Sequence, residues 1–197
     1  MMAYNPFDRT RSPSSSPSLA ATQASNTLED FDPVPWLKKV MDCKLKGVMF
    51  HSNASRSAHM MGLQGMKRWH RCQMKDDFKQ LVELQHYTID QFGVNYDPEF
   101  EATPGATTIT DTQSLLKAYN EYESKYYGIM SDIANQLTLG NYSNEAGLIR
   151  DILCGVAKEL EKSRRWYQDF EKANWDWAYI RIVDAKLHDK VKEQEEA

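Results

Sequence analysis

The chain has 197 residues, of which 41% are hydrophobic and 26% are charged, and its formal net charge is −4. This composition predicts one folded domain of ordinary size plus a tail, and it excludes a wholly disordered chain. No apolar run reaches the roughly 18 residues that a membrane-spanning helix requires, and the acidic balance argues against nucleic acid as a partner. Cys43, Cys72 and Cys154 form an odd set without a C-x-x-C pair. We therefore expect neither a disulfide framework nor a thiolate zinc site, and a reducing, cytoplasmic location.

Residues 1–33 differ in composition from the rest of the chain. The stretch from Arg9 to Asn26 is rich in Ser, Pro and Ala and has almost nothing to bury. Such a segment cannot offset the entropy of ordering, so we expect residues 1–33 to form a disordered N-terminal arm. An alternative interpretation makes the stretch from Phe31 to Trp36 a docking peptide for a protein partner.

The remaining chain shows helical periodicity throughout and almost no strand signals. The first predicted helix begins near Pro35, with Asp32 as its cap, and runs towards Ala58. The predicted helices that follow end at Gly93 and at Gly140, and the fourth starts at Ser143 or Asn144. An irregular stretch, 93–110, separates the second helix from the third. We therefore predict an all-α four-helix bundle over residues 34–172, with a long crossover between helices 2 and 3.

A further amphipathic helix is predicted in a C-terminal extension, residues 173–197. Trp175, Trp177, Tyr179 and Ile180 cluster at its start. The cluster can pack back on the bundle or against a neighbouring subunit. Because exposed aromatic surface is unfavourable, we expect a subunit interface and hence a homo-oligomer.

Polar residues interrupt the apolar stripes that should face the bundle interior. The second helix carries His70, Gln73, Asp77 and Gln80 in the middle of its stripe. The inward positions of the other helices include His51 and Lys44 in the first, Glu123 in the third and Glu159 in the fourth. The third and fourth helices also carry neighbouring stripes that are wholly apolar. If those stripes face the interior instead, Glu123 and Glu159 lie at the side of the helices, in contact with solvent.

Buried carboxylates require positive charge nearby, because an unpaired buried carboxylate costs several kcal/mol even after relaxation. Two sources of this positive charge are possible. One is a metal ion held between the helices, for which carboxylate and imidazole groups are suitable ligands. The other is the ammonium of Lys44, paired with Asp77 or Glu123.

Three segments resemble the ferritin-like superfamily. The run GLQGMKRWHRCQMKDDFKQL, Gly62 to Leu81, resembles the turn between the first two ferritin helices. QFGVNYDP resembles the exit into the ferritin crossover, and YESKYYGIMSDIANQL resembles the third ferritin helix. The resemblance extends over about Trp36 to Phe170, and its strongest part is the glycine turn with Trp69 and the pair Asp76-Asp77.

The resemblance implies a ferritin-like four-helix bundle that binds iron at a degenerate di-iron centre. Asp77 falls on the second-helix glutamate of the family, Gln80 on its histidine, and Glu123 on the third-helix glutamate. Glu159 lies near the fourth-helix ligands. Lys44 stands where the first-helix glutamate would be, which limits any enzymatic activity to a ferroxidase-like one at most.

Two functions follow from the resemblance. The first is a ferritin-like protein that binds iron or a similar divalent metal, perhaps storing or oxidising it as an oligomer, with His51 and His70 as substitute ligands. The second is a metal-free structural or interaction protein (a virion, shell-cargo or assembly component) in which Lys44 replaces the metal charge. In that case the N-terminal arm would recruit a protein partner.

Overall fold

A computed structural model describes residues 31–97 and 109–196, with side chains as far as residue 193. Within these ranges the chain forms helices and no strand. The helices are α1 Val34–Met60, α2 Gln64–Phe92, α3 Thr112–Leu139, α4 Ser143–Lys172 and α5 Trp177–Glu196. The predicted all-α architecture with an additional C-terminal helix is confirmed. Most of the predicted arm, residues 1–30, and part of the crossover, residues 98–108, lie outside the described residues.

An aspartate accepts a hydrogen bond from one backbone amide at the start of α1 and of α3. Pro33 is the N-cap of α1, and the backbone N–H of Val34 donates to Asp32 Oδ1 at 2.9 Å. At α3, Asp111 accepts from the backbone N–H of Ser114 at 2.7 Å, and the Ser114 hydroxyl lies 3.1 Å from the N–H of Asp111. This reciprocal capping box explains why α3 begins where it does.

The turn between α3 and α4 differs from the expected cap. Tyr142, rather than Ser143 or Asn144, occupies the N-cap position of α4, and its side chain makes no capping hydrogen bond. Asn141 adopts a left-handed conformation with φ of 66°, which asparagine tolerates better than most residues. The N-cap of α4 therefore lies one residue before Ser143, the earlier of the two predicted caps.

Phe31 packs into this same turn. Its ring lies 5.6 Å from the ring of Tyr142 and 6.4 Å from that of Trp36, and its carbonyl accepts from the Tyr142 hydroxyl at 3.2 Å. A side chain at Gly140 would overlap the Phe31 ring. The aromatic residues of the proposed docking peptide therefore contact their own chain.

The helices form two hairpins, α1 with α2 and α3 with α4, whose buried faces meet in the interior. Two groups of buried apolar residues fill the two ends of this bundle. The first apolar cluster includes Leu37, Val40, Met41, Leu84, Met130, Ile133, Leu137 and Ile149. The second apolar cluster includes Ala54, Ala58, Leu63, Met66, Trp69, Leu115, Leu116, Tyr119, Phe170, Ile180, Leu187 and Val191.

Helix α5 packs back on the start of α2. Its residue Ile180 is 2% exposed and belongs to the second apolar cluster. The buried carboxylate of Asp184 accepts from the backbone N–H of Met66 at 2.8 Å, so α5 supplies the cap that α2 lacks in its own sequence. Gly65 permits this approach, since a Cβ there would overlap the carbonyl oxygen of Asp184.

The aromatic cluster near α5 is divided between the interior and the surface. Trp175 contacts the rings of Tyr167 and Phe170 on α4, whereas Trp177 remains 50% exposed. Part of the cluster therefore packs on the bundle, which is one of the two arrangements predicted from the sequence; the other was packing against a neighbouring subunit. None of the described helices combines the length and apolar character that crossing a membrane requires.

Candidate functional site

A layer of polar side chains separates the two apolar clusters. We call Lys44, His51, His70, Asp77 and Glu123 the polar layer. Lys44 and His51 are two turns apart on α1, and His70 and Asp77 are two turns apart on α2. Because the two helices are antiparallel, Lys44 lies beside Asp77 and His51 lies beside His70.

The charged pair of this layer is Lys44 with Asp77. The Lys44 ammonium donates to Asp77 Oδ1 at 2.9 Å, and Lys44 is only 4% exposed. Burial raises the pKa of Asp77, while the charge and hydrogen bond of Lys44 act in the opposite direction. A Cβ at Gly47 would overlap the Asp77 carboxylate and the Tyr122 hydroxyl, so glycine is the residue that leaves space for the pair.

The two histidines form a second pair. Their Nδ1 atoms are 3.0 Å apart, a distance that requires one ring to donate and the other to accept. Burial lowers the pKa of His70 to about 3, and burial together with the neighbouring His70 lowers the pKa of His51 well below its usual range. The lowered pKa values favour neutral rings, and a neutral imidazole can donate from one nitrogen while its partner accepts.

Glu123 faces this arrangement from α3. His51 Nε2 lies 3.7 Å from Glu123 Oε1 and 3.8 Å from Asp77 Oδ2. Burial, followed by the negative charges of Asp77 and Glu159, raises the pKa of Glu123 to about 8, and Lys44 acts against this. Glu123 is therefore mostly protonated at neutral pH. The charges of Lys44 and Asp77 then cancel, and the polar layer is close to neutral.

Glu159 belongs to a neighbouring network on α4. It accepts from the Tyr119 hydroxyl at 3.0 Å, and Tyr119 accepts from Trp69 Nε1 at 3.2 Å. The Lys162 ammonium lies 3.9 Å from Glu159 and 3.6 Å from the centre of the Trp69 ring. Burial raises the pKa of Glu159, and Lys162 and Tyr119 reduce that effect. Glu159 is thus satisfied by groups of its own.

A cavity of about 260 Å³ adjoins both networks. Its walls include His51, Asp77, Gln80, Glu123 and Glu159, so five of the six candidate site residues meet at one place. His70 does not line the cavity and contacts it only through His51. Gln80 Oε1 is buried and has no hydrogen-bond partner among the described residues.

These residues, as arranged, do not fit a metal ion. No group of three His, Cys, Asp or Glu side chains in residues 31–97 and 109–193 is placed to hold one. Asp77 is bound by Lys44, Glu159 is bound by Tyr119, and a proton remains on Glu123. The Gln80 carbonyl oxygen, which lacks a donor, is a group that a cation would satisfy.

Sequence reasoning did not find the second network. Tyr119 lies one helical turn before Glu123 on α3, and Trp69 directly precedes His70, so both were adjacent to candidates. The available signal was that a buried Tyr hydroxyl or Trp N–H needs a hydrogen-bond partner.

Comparison with solved structures identifies the architecture. A structure described as a novel open-pore ferritin from the hyperthermophilic archaeon Archaeoglobus fulgidus matches this chain with a TM-score of 0.71. The chain has a ferritin-like fold. The match covers 79% of this chain and 94% of that one, at 11% sequence identity. The same ferritin, engineered by site-directed mutagenesis into a closed form, matches with a TM-score of 0.71 at 12% identity.

The structural matches confirm the ferritin-like fold that the sequence resemblance implied. No protein-family model and no curated protein matches the sequence. At identities of 11–12% the match concerns the fold of the chain and does not extend to the chemistry of its interior. What the interior can do therefore depends on this chain's own residues.

Proposed function

We propose that this chain is a metal-free ferritin-like bundle that serves as a structural or interaction protein, with the ammonium of Lys44 in place of a metal charge. The observation that carries this proposal is the Lys44–Asp77 contact of 2.9 Å at a lysine that is 4% exposed. A lysine buried to this extent needs a partner, and Asp77 supplies it. The pair thereby uses the carboxylate that a metal ion would need.

The charge balance of the interior supports the same proposal. The cation of Lys44 offsets Asp77, and the raised pKa of Glu123 keeps that carboxyl largely neutral. A divalent ion would have to displace both the ammonium and the proton. Each displacement weakens metal binding, because metal ligands must be deprotonated and like charges repel.

An interaction role is supported by apolar side chains on the surface. Met60 is 83% exposed and Leu139 is 70% exposed, and both adjoin turns between helices. Phe78, Trp177 and Ile182 are also exposed. We expect these side chains to take part in protein contacts, such as those of a homo-oligomer or of a virion, shell-cargo or assembly component. We expect the N-terminal arm to contribute to partner binding, in the cytoplasm.

A second candidate function is iron binding, as storage cargo or as an oxidation substrate. It is favoured by the unpartnered Gln80 Oε1 and by the approach of His51 Nε2 to within 4 Å of both Asp77 and Glu123. Asp77, Gln80, Glu123 and Glu159 with His51 would be the ligands. This function requires the Lys44 ammonium to leave Asp77.

Elemental analysis of the protein purified after iron-replete expression distinguishes the two functions. We expect the wild type to contain far less than one iron per chain. Lys44→Glu should be destabilised, and adding ferrous iron should restore part of its thermal stability. Lys46→Glu, which makes the same charge change at an exposed position of α1, is the control and should not respond to iron.

Stoichiometric iron in the wild type would overturn the metal-free proposal and support the second candidate. The solution mass of the same preparation tests the interaction role. We expect a mass above that of one chain, and a strictly monomeric protein at high concentration would contradict a homo-oligomer.

A further inference from the structure

A second cavity lies where the turn between α1 and α2, the start of α3 and the turn between α4 and α5 come together. It has a volume of about 440 Å³ and shares no residue with the cavity beside the polar layer. Its walls include Met61, Asp111, Gln113, Trp175, Trp177 and Ile180, and we call it the tryptophan cavity. Apolar walls with a few polar groups, and a volume of this size, are typical of sites for small ligands.

The two tryptophans present aromatic surface to this cavity. Trp177 is 50% exposed, so much of its ring is left uncovered by the described residues. The Trp175 ring is held by edge-to-face contacts with Tyr167, at 5.3 Å between ring centres, and with Phe170, at 6.2 Å. One aromatic wall of the cavity is therefore fixed against α4, and the other is accessible to a ligand.

The backbone at Trp175 is strained. Asn174 and Trp175 both adopt left-handed conformations, with φ of 52° and 56°. Asparagine tolerates this region, but it is unfavourable for a bulky residue such as tryptophan, and glycine would adopt it freely. Strained residues of this kind cluster at ligand sites. What tryptophan provides here is its ring, of which one part packs on α4 and another lines the cavity.

Asp111 is the one charged side chain among the described residues that line the cavity. The backbone N–H and the side chain of Ser114 donate hydrogen bonds that lower the pKa of Asp111, so its carboxylate is ionised at neutral pH. The cavity therefore combines aromatic faces with a negative charge at its edge.

The Trp177 ring already lies near one cation of the chain. The guanidinium carbon of Arg181 is 6.0 Å from the centre of this ring. Arg181 donates to the carbonyl oxygen of Gly62 and is not part of the cavity wall. Asp176, which precedes Trp177 and accepts from the Tyr179 N–H, carries the opposite charge. The cation that Trp177 attracts from its own chain therefore lies outside the cavity.

From these observations we infer that the tryptophan cavity binds a quaternary ammonium group, carried either by a small free ion such as choline or by a trimethylated lysine side chain. Indole rings attract such a cation over their faces, and proteins use aromatic walls to bind it. The group has no N–H, so it needs no hydrogen-bond acceptor, and its methyl surface suits Met61 and Ile180. The Asp111 carboxylate adds electrostatic attraction. A primary ammonium is more strongly hydrated and should enter less readily.

Isothermal titration calorimetry of the full chain with choline tests this inference, and we expect one site per chain. The neutral alcohol in which a carbon atom replaces the choline nitrogen has the same shape without the charge. It should bind about tenfold more weakly, because it lacks the cation–π attraction. Equal affinity for the two ligands would show that the cavity selects shape alone and would overturn the inference.

Trp177→Leu should weaken choline binding about tenfold, whereas Trp177→Phe should retain part of the affinity because phenylalanine keeps an aromatic face. Tyr127→Leu removes an aromatic side chain of similar exposure outside the cavity, and this control should bind like the wild type. Because Trp177 is half exposed, we expect Trp177→Leu to fold, and its thermal unfolding checks this.

Asp111→Asn tests the charge without changing an aromatic residue. Asparagine is as good an N-cap as aspartate, so α3 should keep its cap and the variant should melt close to the wild type. It should bind choline about threefold more weakly and the neutral alcohol as the wild type does. An unchanged choline affinity, or an equal loss for both ligands, would overturn the inference because the cavity would then not respond to charge.

A short peptide with one trimethyllysine distinguishes the two sources of the group, and the same peptide with unmodified lysine is its control. Tighter binding of choline assigns a free ion, and tighter binding of the trimethylated peptide assigns a methylated protein. Both results support the inference, provided that the unmodified peptide binds more weakly than the trimethylated one.

The inference is overturned if choline does not bind at millimolar concentration, or if Trp177→Leu binds it as tightly as the wild type. It is also overturned if the unmodified and trimethylated peptides bind equally well. Neither the iron content of the protein nor its solution mass enters these outcomes. This inference and the proposed function can therefore fail separately.

Discussion

The polar layer and the apolar clusters on either side of it are stabilised differently, although the same helices form both. The second apolar cluster is held by burial of side chains such as Leu116 and Phe170, and burial of apolar surface is insensitive to pH. The polar layer is held by specific partners, above all Lys44 with Asp77 and His51 with His70. Removing one side chain leaves a void in the first region and an unpaired polar group in the second.

The largest effect is expected at the centre of the polar layer. Lys44→Met leaves Asp77 buried without its cation and should lower the free energy of unfolding by about 4 kcal/mol. Lys46→Met, at an exposed position of α1, should change it by less than about 0.5 kcal/mol. Chemical denaturation at neutral pH measures both.

The double variant Lys44→Met/Asp77→Leu sharpens the same comparison. Replacing both partners of a buried pair by apolar groups is often neutral or stabilising. We therefore expect the double variant to regain most of the stability that the single variant loses. If the double variant is as unstable as Lys44→Met, the loss comes from packing and our account of the pair is wrong.

A comparable loss, with another cause, is expected in the second apolar cluster. Leu116→Ala creates a cavity at a residue that is 1% exposed and should cost about 3 kcal/mol. No titratable group is removed, so the loss should be the same at pH 6 and pH 9. A loss that changes with pH would show that the two regions are not independent.

Glu123→Gln should produce an effect that depends on pH. The folded state raises the pKa of Glu123 from 4.5 to about 8, so between these values it binds more protons than the unfolded state does. The contribution of Glu123 to stability therefore falls as pH rises through this window. Relative to the wild type, the glutamine variant, which cannot ionise, should therefore gain about 4 kcal/mol of stability between pH 5 and pH 9. Thermal unfolding across this range measures the difference, and a constant difference would contradict a buried, protonated Glu123.

The smallest effect is expected at the border between the two regions. Tyr119 belongs to the second apolar cluster by its ring and to the Glu159 network by its hydroxyl. Tyr119→Phe keeps the ring and removes one acceptor from Trp69 and one donor to Glu159, which should cost about 1 kcal/mol. Tyr126→Phe, on the same helix, is the control, because no hydrogen bond of its hydroxyl is observed here. Equal losses in both variants would argue against the network.

The helices could be predicted from the sequence because periodicity, caps and glycine stops are local signals. The inward positions of Lys44, His51, His70, Asp77 and Glu123 followed from the same stripes. The pairings inside the layer did not, because they depend on the register between α1 and α2. The sequence offered His51 and His70 as substitute metal ligands, and it gave no sign that their Nδ1 atoms would lie 3.0 Å apart. The cap that Asp184 gives Met66 was also beyond prediction, since 118 residues separate the two.

That cap has a consequence for how the protein is made. During synthesis, the amide of Met66 and the apolar side chains around it leave the ribosome long before Asp184, which is 118 positions further along. Until α5 emerges, the start of α2 has no cap and the apolar side chains beside it are not covered by α5. The cap on α2 can therefore form only after all four bundle helices have been synthesised.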